Sequence, residues 1–191
     1  MPALTPPAIP AGTLGTRPQP VLTVDELTIR PWATADAPAV VAAYQDADIQ
    51  RWHVRSMTSA EAETWIQSWA DRWRAETGVN WAVTDPGGVV GRIGFGGLNL
   101  TDGLGEAAYW VVPAARGRRI AARALATTTT WMLRSGFHRL ALLHSTGNLA
   151  SCRVAVAARY PYEGTQREQA RHQDGWHDVH IHARLADPAD V

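Results

Sequence analysis

The sequence predicts a single α/β domain: one twisted, mixed sheet of about seven strands with helices on both faces. Three observations lead there. Patterned segments run strand, two helices, three strands, helix, strand, helix, two strands, with no internal repeat. Hydrophobic residues make up 46% of the 191-residue chain against 19% charged, enough apolar surface for a core of ordinary domain size. Turn signals separate the segments: "PGG" lies between the second and third strands, Pro113 follows the fourth, and Gly136 closes the helix after it.

Residues 1–20, "MPALTPPAIPAGTLGTRPQP", carry six of the twelve prolines. Proline fixes φ and removes a backbone donor, so 1–24 is expected to be an extended arm, docked on the body or on a second subunit. The folded domain is expected over 25–187, with a short tail at 188–191. "LTIR" (27–30) alternates as a strand and meets Pro31. "TADAPAVVAAYQDADI" (34–49) reads as one helix with Thr34 as its N-cap and Asp36 in the first turn. A second helix begins at Thr58, whose spacing to Glu61 is that of a capping box; Trp65, Trp69 and Trp73 form one stripe along it. "NWAVTD", "PGG" and "VVGRIGFGGLNL" read as two strands joined by a turn, and the glycines at 91, 94, 96 and 97 predict a bulge or a close backbone approach. "GEAAYWVV" (105–112) is the next strand, ended by Pro113, and 118–136 is a helix closing near Gly136. The strand 138–145, a helix capped by Asn148, and closing strands at 160–168 and 176–185 complete the series.

Formal net charge is zero, with all 18 basic residues arginine, which argues against a nucleic-acid binder. The one cysteine, Cys152, excludes an internal disulfide and gives no sign of a metal site; an inert thiol is expected. No run approaches the roughly 20 apolar residues of a membrane span, and no signal-peptide pattern opens the chain, so a cytoplasmic protein is expected.

The stretch "WVVPAARGRRIAARAL" (110–125) carries the clearest chemistry. A strand gives way to a turn and then to a helix start, where free N–H groups and the helix dipole make an anion site. Arg116, Gly117, Arg118 and Arg119 surround that pole, an arrangement suited to a phosphate or diphosphate.

This stretch resembles the acetyl-CoA signature of the GNAT acyltransferase superfamily, Arg/Gln-x-x-Gly-x-Gly/Ala, matched at Arg116 and Ala121. With "IRPW…DA", "GEAAYWVVPAARGRRIA", "GNLASCRVA", "YEGTQR" and "HDV" in order over 27–185, the chain looks like the RimJ/RimL-type branch. The resemblance implies a sheet whose fourth and fifth strands splay to admit coenzyme A. Pantetheine amides would meet the backbone of Trp110, Val111 and Val112, and the diphosphate would sit on Arg116, Gly117, Arg118, Arg119, Ile120 and Ala121. It also implies an acetyl-CoA (or other acyl-CoA) co-substrate and an amine acceptor, either a small amino compound or a protein N-terminus. The chain departs from the pattern in four places. Arg119 replaces the middle glycine of the signature; Arg159 precedes Tyr160 where glycine is common; Ala155 stands where many members have a tyrosine; Ala170 stands where some have a glutamate.

Acyl transfer to an amine needs a base, polarisation of the carbonyl and a donor to the departing thiolate. The resemblance points to Glu106 as base, Ser151 as thiol-side donor and Asn148 as the residue that orients the cofactor. His144 is the second candidate base, because imidazole titrates near neutrality. His138, His177, His180 and His182 read as surface residues. Trp52, Trp65 and Trp69 are candidates for an aromatic wall beside the acceptor, although a tryptophan stripe also suits a core. The arm and tryptophans would suit a homodimer. The competing reading is a catalytically reduced CoA-binding or protein-interaction module, favoured by Ala155 and Ala170.

Overall fold

The computed structural model describes residues 4–187, so the 188–191 tail lies outside the described residues. Eight strands form one sheet in the order β1-β2-β3-β4-β5-β6-β8-β7. They are β1 (Leu22–Val24), β2 (Leu27–Pro31), β3 (Gly78–Asp85), β4 (Gly88–Asn99), β5 (Leu104–Val111), β6 (Arg139–Ser145), β7 (Tyr162–His172) and β8 (Gly175–Leu185). Neighbours are antiparallel except β5 and β6. β1 is the strand the sequence did not disclose: three residues are too few to show alternation.

Five helices cover the sheet: α1 (Ala37–Ala43), α2 (Ala47–His53), α3 (Ser59–Arg74), α4 (Ile120–Arg134) and α5 (Leu149–Ala157). Side chains of α4 and α5 join the larger core, with Trp81, Phe95 and Ile93 from the sheet. α1, α2 and α3 pack on the other face around Tyr44, Ile66 and Trp110.

The helix expected over 34–49 is three pieces. Asp36 accepts two bonds from the Arg30 guanidinium, at 2.7 and 2.8 Å, and one from Ala33 N–H at 2.8 Å. A short 3₁₀ turn at Thr34–Asp36 results, with Ala33 and not Thr34 at its cap. α1 ends at Tyr44, and Asp46 then caps α2 by accepting from Ile49 N–H. The chain turns twice here and lays α2 against the end of β5. In α3 the Thr58–Glu61 capping box forms as expected. Its tryptophan stripe is mostly core: Trp69 and Trp73 are buried, and Trp69 packs on Gly78 of β3.

The arm docks on the body. Ile9 and Leu14 are buried, and the Glu76 carboxylate accepts backbone N–H bonds from Gly12, Leu14 and Gly15. Burial pushes Glu76 up, but the three donors outweigh it and hold it below the usual carboxylate range. The glycines of β4 serve both expected purposes. A Cβ on Gly94 would lie 2.6 Å from Val79 O, and the register shifts between Gly96 and Asn99, where Gly97 takes φ +57°.

Helix α5 ends in a Schellman motif: Tyr160 N–H reaches Ala155 O and Arg159 N–H reaches Val156 O. That places Arg159 at φ +61°, where the missing glycine predicts strain. Arg159→Gly is expected to raise stability by about 0.5–1 kcal/mol, a melting rise of roughly 1–4 °C by calorimetry. A fall in melting temperature would show that the Arg159 side chain contributes more than its backbone costs.

Candidate active site

The parallel pair at the centre of the sheet is short. β5 and β6 share a register only from Leu104↔Arg139 to Ala107↔Leu142. Past that point β5 runs on to Val111 and β6 to Ser145 without pairing, and the strands part. The gap opens into a cleft of about 1020 Å³ lined by β5, β6, α2 and the starts of α4 and α5.

Strand alternation decides which backbone groups face the gap. Val112 N–H donates to Val90 O of β4, so Val112 and, two residues back, Trp110 direct their amides to β4. Tyr109 and Val111 face the other way: the Tyr109 carbonyl accepts from His53 Nε2 at 3.1 Å, and that of Val111 accepts from Arg116 Nε at 3.3 Å. Of the expected trio, only Val111 offers its backbone to the gap. Tyr109 also faces its backbone to the gap, which sequence reading missed because the parity of the β4 register was not legible. The Trp110 indole is buried on the α1–α3 side.

After Arg116, whose N–H bonds Pro113 O, the next backbone N–H with an acceptor among the described residues is that of Arg123. The amides of Gly117, Arg118, Arg119, Ile120 and Ala121 therefore stand without acceptors at the mouth of the cleft, at the positive end of α4. Arg119 takes φ +56°, which is the physical reason for a glycine at that point of the signature. The arginine side chains are engaged differently from the expectation. Arg116 pairs with Asp46 and Asp48, Arg118 with Glu26 and Asp85, and Arg123 with Asp25 and Glu26. Bonds from Arg123 and Arg118 hold the Glu26 carboxyl down to about 2. These guanidinium groups tie the turn to α2 and to the β1–β2 hairpin, and their charge is already balanced by carboxylates. Arg119 is exposed and has no ion pair among the described residues.

The two faces of the gap carry different chemistry. Glu106 and Ala141 are register partners, and so share the α1–α3 face with Ser145 four residues on. Glu106 is open to the cleft, but the surrounding protein still raises its pKa above the ordinary carboxylate value by burial. Ser145 Oγ lies 2.7 Å from His177 Nδ1, and His177 Nε2 lies 2.8 Å from Asp174 Oδ1, a hydrogen-bonded chain from cleft to solvent. His177 is therefore not the plain surface residue expected. Trp52 stands beside it, edge-on to His172 and His177 at 5.8 and 6.4 Å. Trp65 lines a shallower groove of about 580 Å³ that meets the cleft at Val54, while Trp69 lies in the core and lines neither. His53 is held neutral: burial, then the Arg92 charge, pulls its pKa down to about 4.

On the α5 side, Asn148 accepts from Ser151 N–H at 3.1 Å and both residues line the cleft. Burial pushes the Tyr109 phenol up to about 12, with the Ser151 hydroxyl beside it acting in the opposite sense. The phenol oxygen is buried without a hydrogen bond of good geometry. Ala155 is fully buried and Ala170 lines the cleft, so neither position supplies a polar group. His144 borders the cleft, but its Nδ1 bonds Ser145 O and its Nε2 is shut away from solvent. It cannot reach an acceptor there, and the alternative base is withdrawn.

A mixed sheet parted at its parallel pair, with unpartnered helix-start amides suited to an anion at the mouth, is the arrangement that the resemblance to acyltransferases implies. Residues 26–160 match the model of the acetyltransferase (GNAT) domain, and the chain belongs to that family. It is 24% identical to the uncharacterised N-acetyltransferase YoaA of Bacillus subtilis (strain 168), over 86% of this chain and 96% of that protein. Among solved structures, it resembles the RimL ribosomal L7/L12 α-N-protein acetyltransferase in complex with coenzyme A, with a TM-score of 0.83 at 18% identity, covering 88% of this chain and 99% of that one. It also resembles the ribosomal-protein-S5-alanine acetyltransferase of Vibrio fischeri, with a TM-score of 0.81 at 16% identity, over 89% and 98%. The microcin C7 self-immunity acetyltransferase MccE, solved with acetyl-CoA and AMP, gives 0.78 at 15% identity, over 85% and 93%. At these identities the likeness shows the fold, which has the expected splayed pair.

Proposed function

We propose that the chain moves an acetyl group from acetyl-CoA to a primary amine by direct attack in a ternary complex. The parting of β5 from β6 beside the unpartnered amides of 117–121 carries this reading. The fit is chemical: a diphosphate needs several N–H donors and a positive pole, and both are present at the start of α4. The thioester supplies an activated carbonyl and a thiolate leaving group.

The chain's own groups do the rest. N–H groups of Tyr109 and Val111 bond the pantetheine amides, and the amides of Gly117 to Ala121 hold the diphosphate. The side chain of Arg119 is free to pair with the 3′-phosphate. Glu106 takes the amine proton as nitrogen attacks the acyl carbon, directly or through one water. As the N–C bond forms and the C–S bond breaks, Ser151 offers a hydroxyl donor to the departing sulfur, the role for which Ala155 has no group. Asn148 fixes Ser151 through its cap. Ser145, His177 and Asp174 give the proton a route to solvent, and Trp52 walls the acceptor side. A peptide N-terminus and a small amine both suit the open cleft, with the RimL and RimJ-type neighbours favouring the peptide.

Calorimetric titration with acetyl-CoA, followed by thiol release over a panel of N-terminal peptides and small amines, tests this. Ala121→Glu keeps helix α4 intact, since a carboxylate suits a helix start, but repels a diphosphate; acetyl-CoA affinity is expected to fall about tenfold or more. A folded chain that gives neither heat nor a melting shift with acetyl-CoA would falsify the proposal. Binding without thiol release on any acceptor would leave a CoA-holding module.

A further inference from the structure

Beneath α5, on the opposite face of the sheet from Glu106, four ligand-bearing side chains converge. His144 on β6, Cys152 on α5, and His180 and His182 on β8 present ligand atoms that all lie within 4.8 Å of one another. Register explains the meeting. His180 is the direct partner of His144, and His182 that of Leu142, so alternation turns all three imidazoles to the face that α5 covers. The H-x-H spacing on β8 does this for two of them. Cys152, four residues into α5, is laid over the three.

The imidazoles are prepared for a cation. His144 and His182 are only 7% and 2% exposed. In each, Nδ1 sits by a backbone carbonyl, Ser145 O at 2.8 Å and Tyr160 O at 3.0 Å, which fixes the proton on Nδ1 and leaves the Nε2 lone pair free. Both Nε2 atoms are buried without a hydrogen-bond partner, as is Nδ1 of His180. Three such nitrogens around one point are costly to leave unmatched; the His144 ring stacks on that of His182 at 5.2 Å and meets that of His180 edge-on at 5.4 Å.

We propose that His144, Cys152, His180 and His182 bind one divalent transition-metal cation, zinc by preference, in a closed tetrahedral site. One thiolate with three imidazoles is a borderline-soft set that suits zinc. Zinc–nitrogen and zinc–sulfur bonds of about 2.0 and 2.3 Å place ligand atoms roughly 3.3–3.5 Å apart, so a pair at the 4.8 Å limit closes by about 1.5 Å at most. Binding displaces the thiol proton of Cys152 to solvent. With four protein ligands and no open position the ion is structural. It fastens the start of α5, and so Asn148 and Ser151, to β6 and β8. The proposal does not depend on the acyl-transfer reading, since its readouts are metal content and spectrum.

The test uses the full chain, stripped with chelator, reloaded with zinc or cobalt(II) chloride and dialysed. About one equivalent of zinc per chain is expected by elemental analysis, with a rise in melting temperature. The cobalt(II) form should show intense visible bands of tetrahedral coordination and a near-ultraviolet thiolate-to-cobalt band. Cys152→Ser should lose that ultraviolet band, and His182→Gln should weaken cobalt binding about tenfold or more, both chains remaining folded by circular dichroism. A folded wild-type chain that retains no stoichiometric metal overturns the proposal. So does a cobalt spectrum unchanged by Cys152→Ser, because it would place the ion elsewhere.

Discussion

Glu106→Gln is expected to lower kcat about 100- to 1000-fold while leaving KM for acetyl-CoA within about twofold. Gln keeps the shape and hydrogen-bonding reach of the side chain but cannot accept a proton from the attacking amine. Glu106 borders the parted strands on the α1–α3 face, and burial raises its pKa. A base acts only when ionised, so kcat should climb with pH through that raised value and level off above it. The variant should lack this climb. Stability moves the other way. A carboxyl with a raised folded-state pKa favours folding at low pH, and that contribution is lost as pH rises through the raised value. Glu106→Gln removes the ionisation and is expected to match or exceed wild-type melting temperature at neutral pH. Loss of turnover in a chain that is no less stable separates a catalytic role from a structural one. Wild-type kcat in the variant would end the assignment of Glu106.

The sheet, the order of its elements and the turn at 116–121 were legible because each rests on local pattern: alternation, capping residues and a signature of six residues. What stayed hidden depends on partners far apart in the chain. Arg116 and Arg118 looked like ligand charges until Glu26, Asp46, Asp48 and Asp85 were seen beside them. Trp110 and Val112 were assigned to the cofactor when the β4 register gives their amides to the sheet and turns Tyr109 and Val111 to the gap. Trp69 sits on the side of α3 that meets Gly78, a contact no helical periodicity specifies. Ser145, His177 and Asp174 belong to β6, to β8 and to the turn before β8. His144, Cys152, His180 and His182 likewise come from three elements, and a single cysteine gave no spacing to notice. The departure at Arg159 was legible in the sequence, and its left-handed backbone follows from a helix end that needs such a residue whatever lies around it.

Asp36→Ala is expected to cost about 3 kcal/mol, a fall of roughly 6–12 °C in melting temperature. Asp36 is buried, and its carboxylate accepts both arms of Arg30 and the Ala33 amide. Removing it strands a half-buried guanidinium and an unpaired N–H at once, which is worse than never having had the pair. The consequence reaches the active site through the chain path. The clamp turns the backbone from β2 into α1, and two turns later α2 supplies Asp46 and Asp48 to Arg116 and His53 to the Tyr109 carbonyl. A loosened clamp should therefore raise KM for acetyl-CoA with a smaller change in kcat, the reverse of Glu106→Gln. The pH dependence gives the sign. Burial pushes Asp36 up, but bonds from Arg30 and Ala33 outweigh it and hold its pKa below the ordinary 3.8. A carboxyl depressed in the folded state contributes fully above its unfolded value and is lost as pH falls through its folded one. The melting gap between wild type and variant should thus stay level from roughly pH 8 to pH 5 and narrow below about pH 4. A gap that persists undiminished in acid would mean that the ion pair is not what holds the β2–α1 turn.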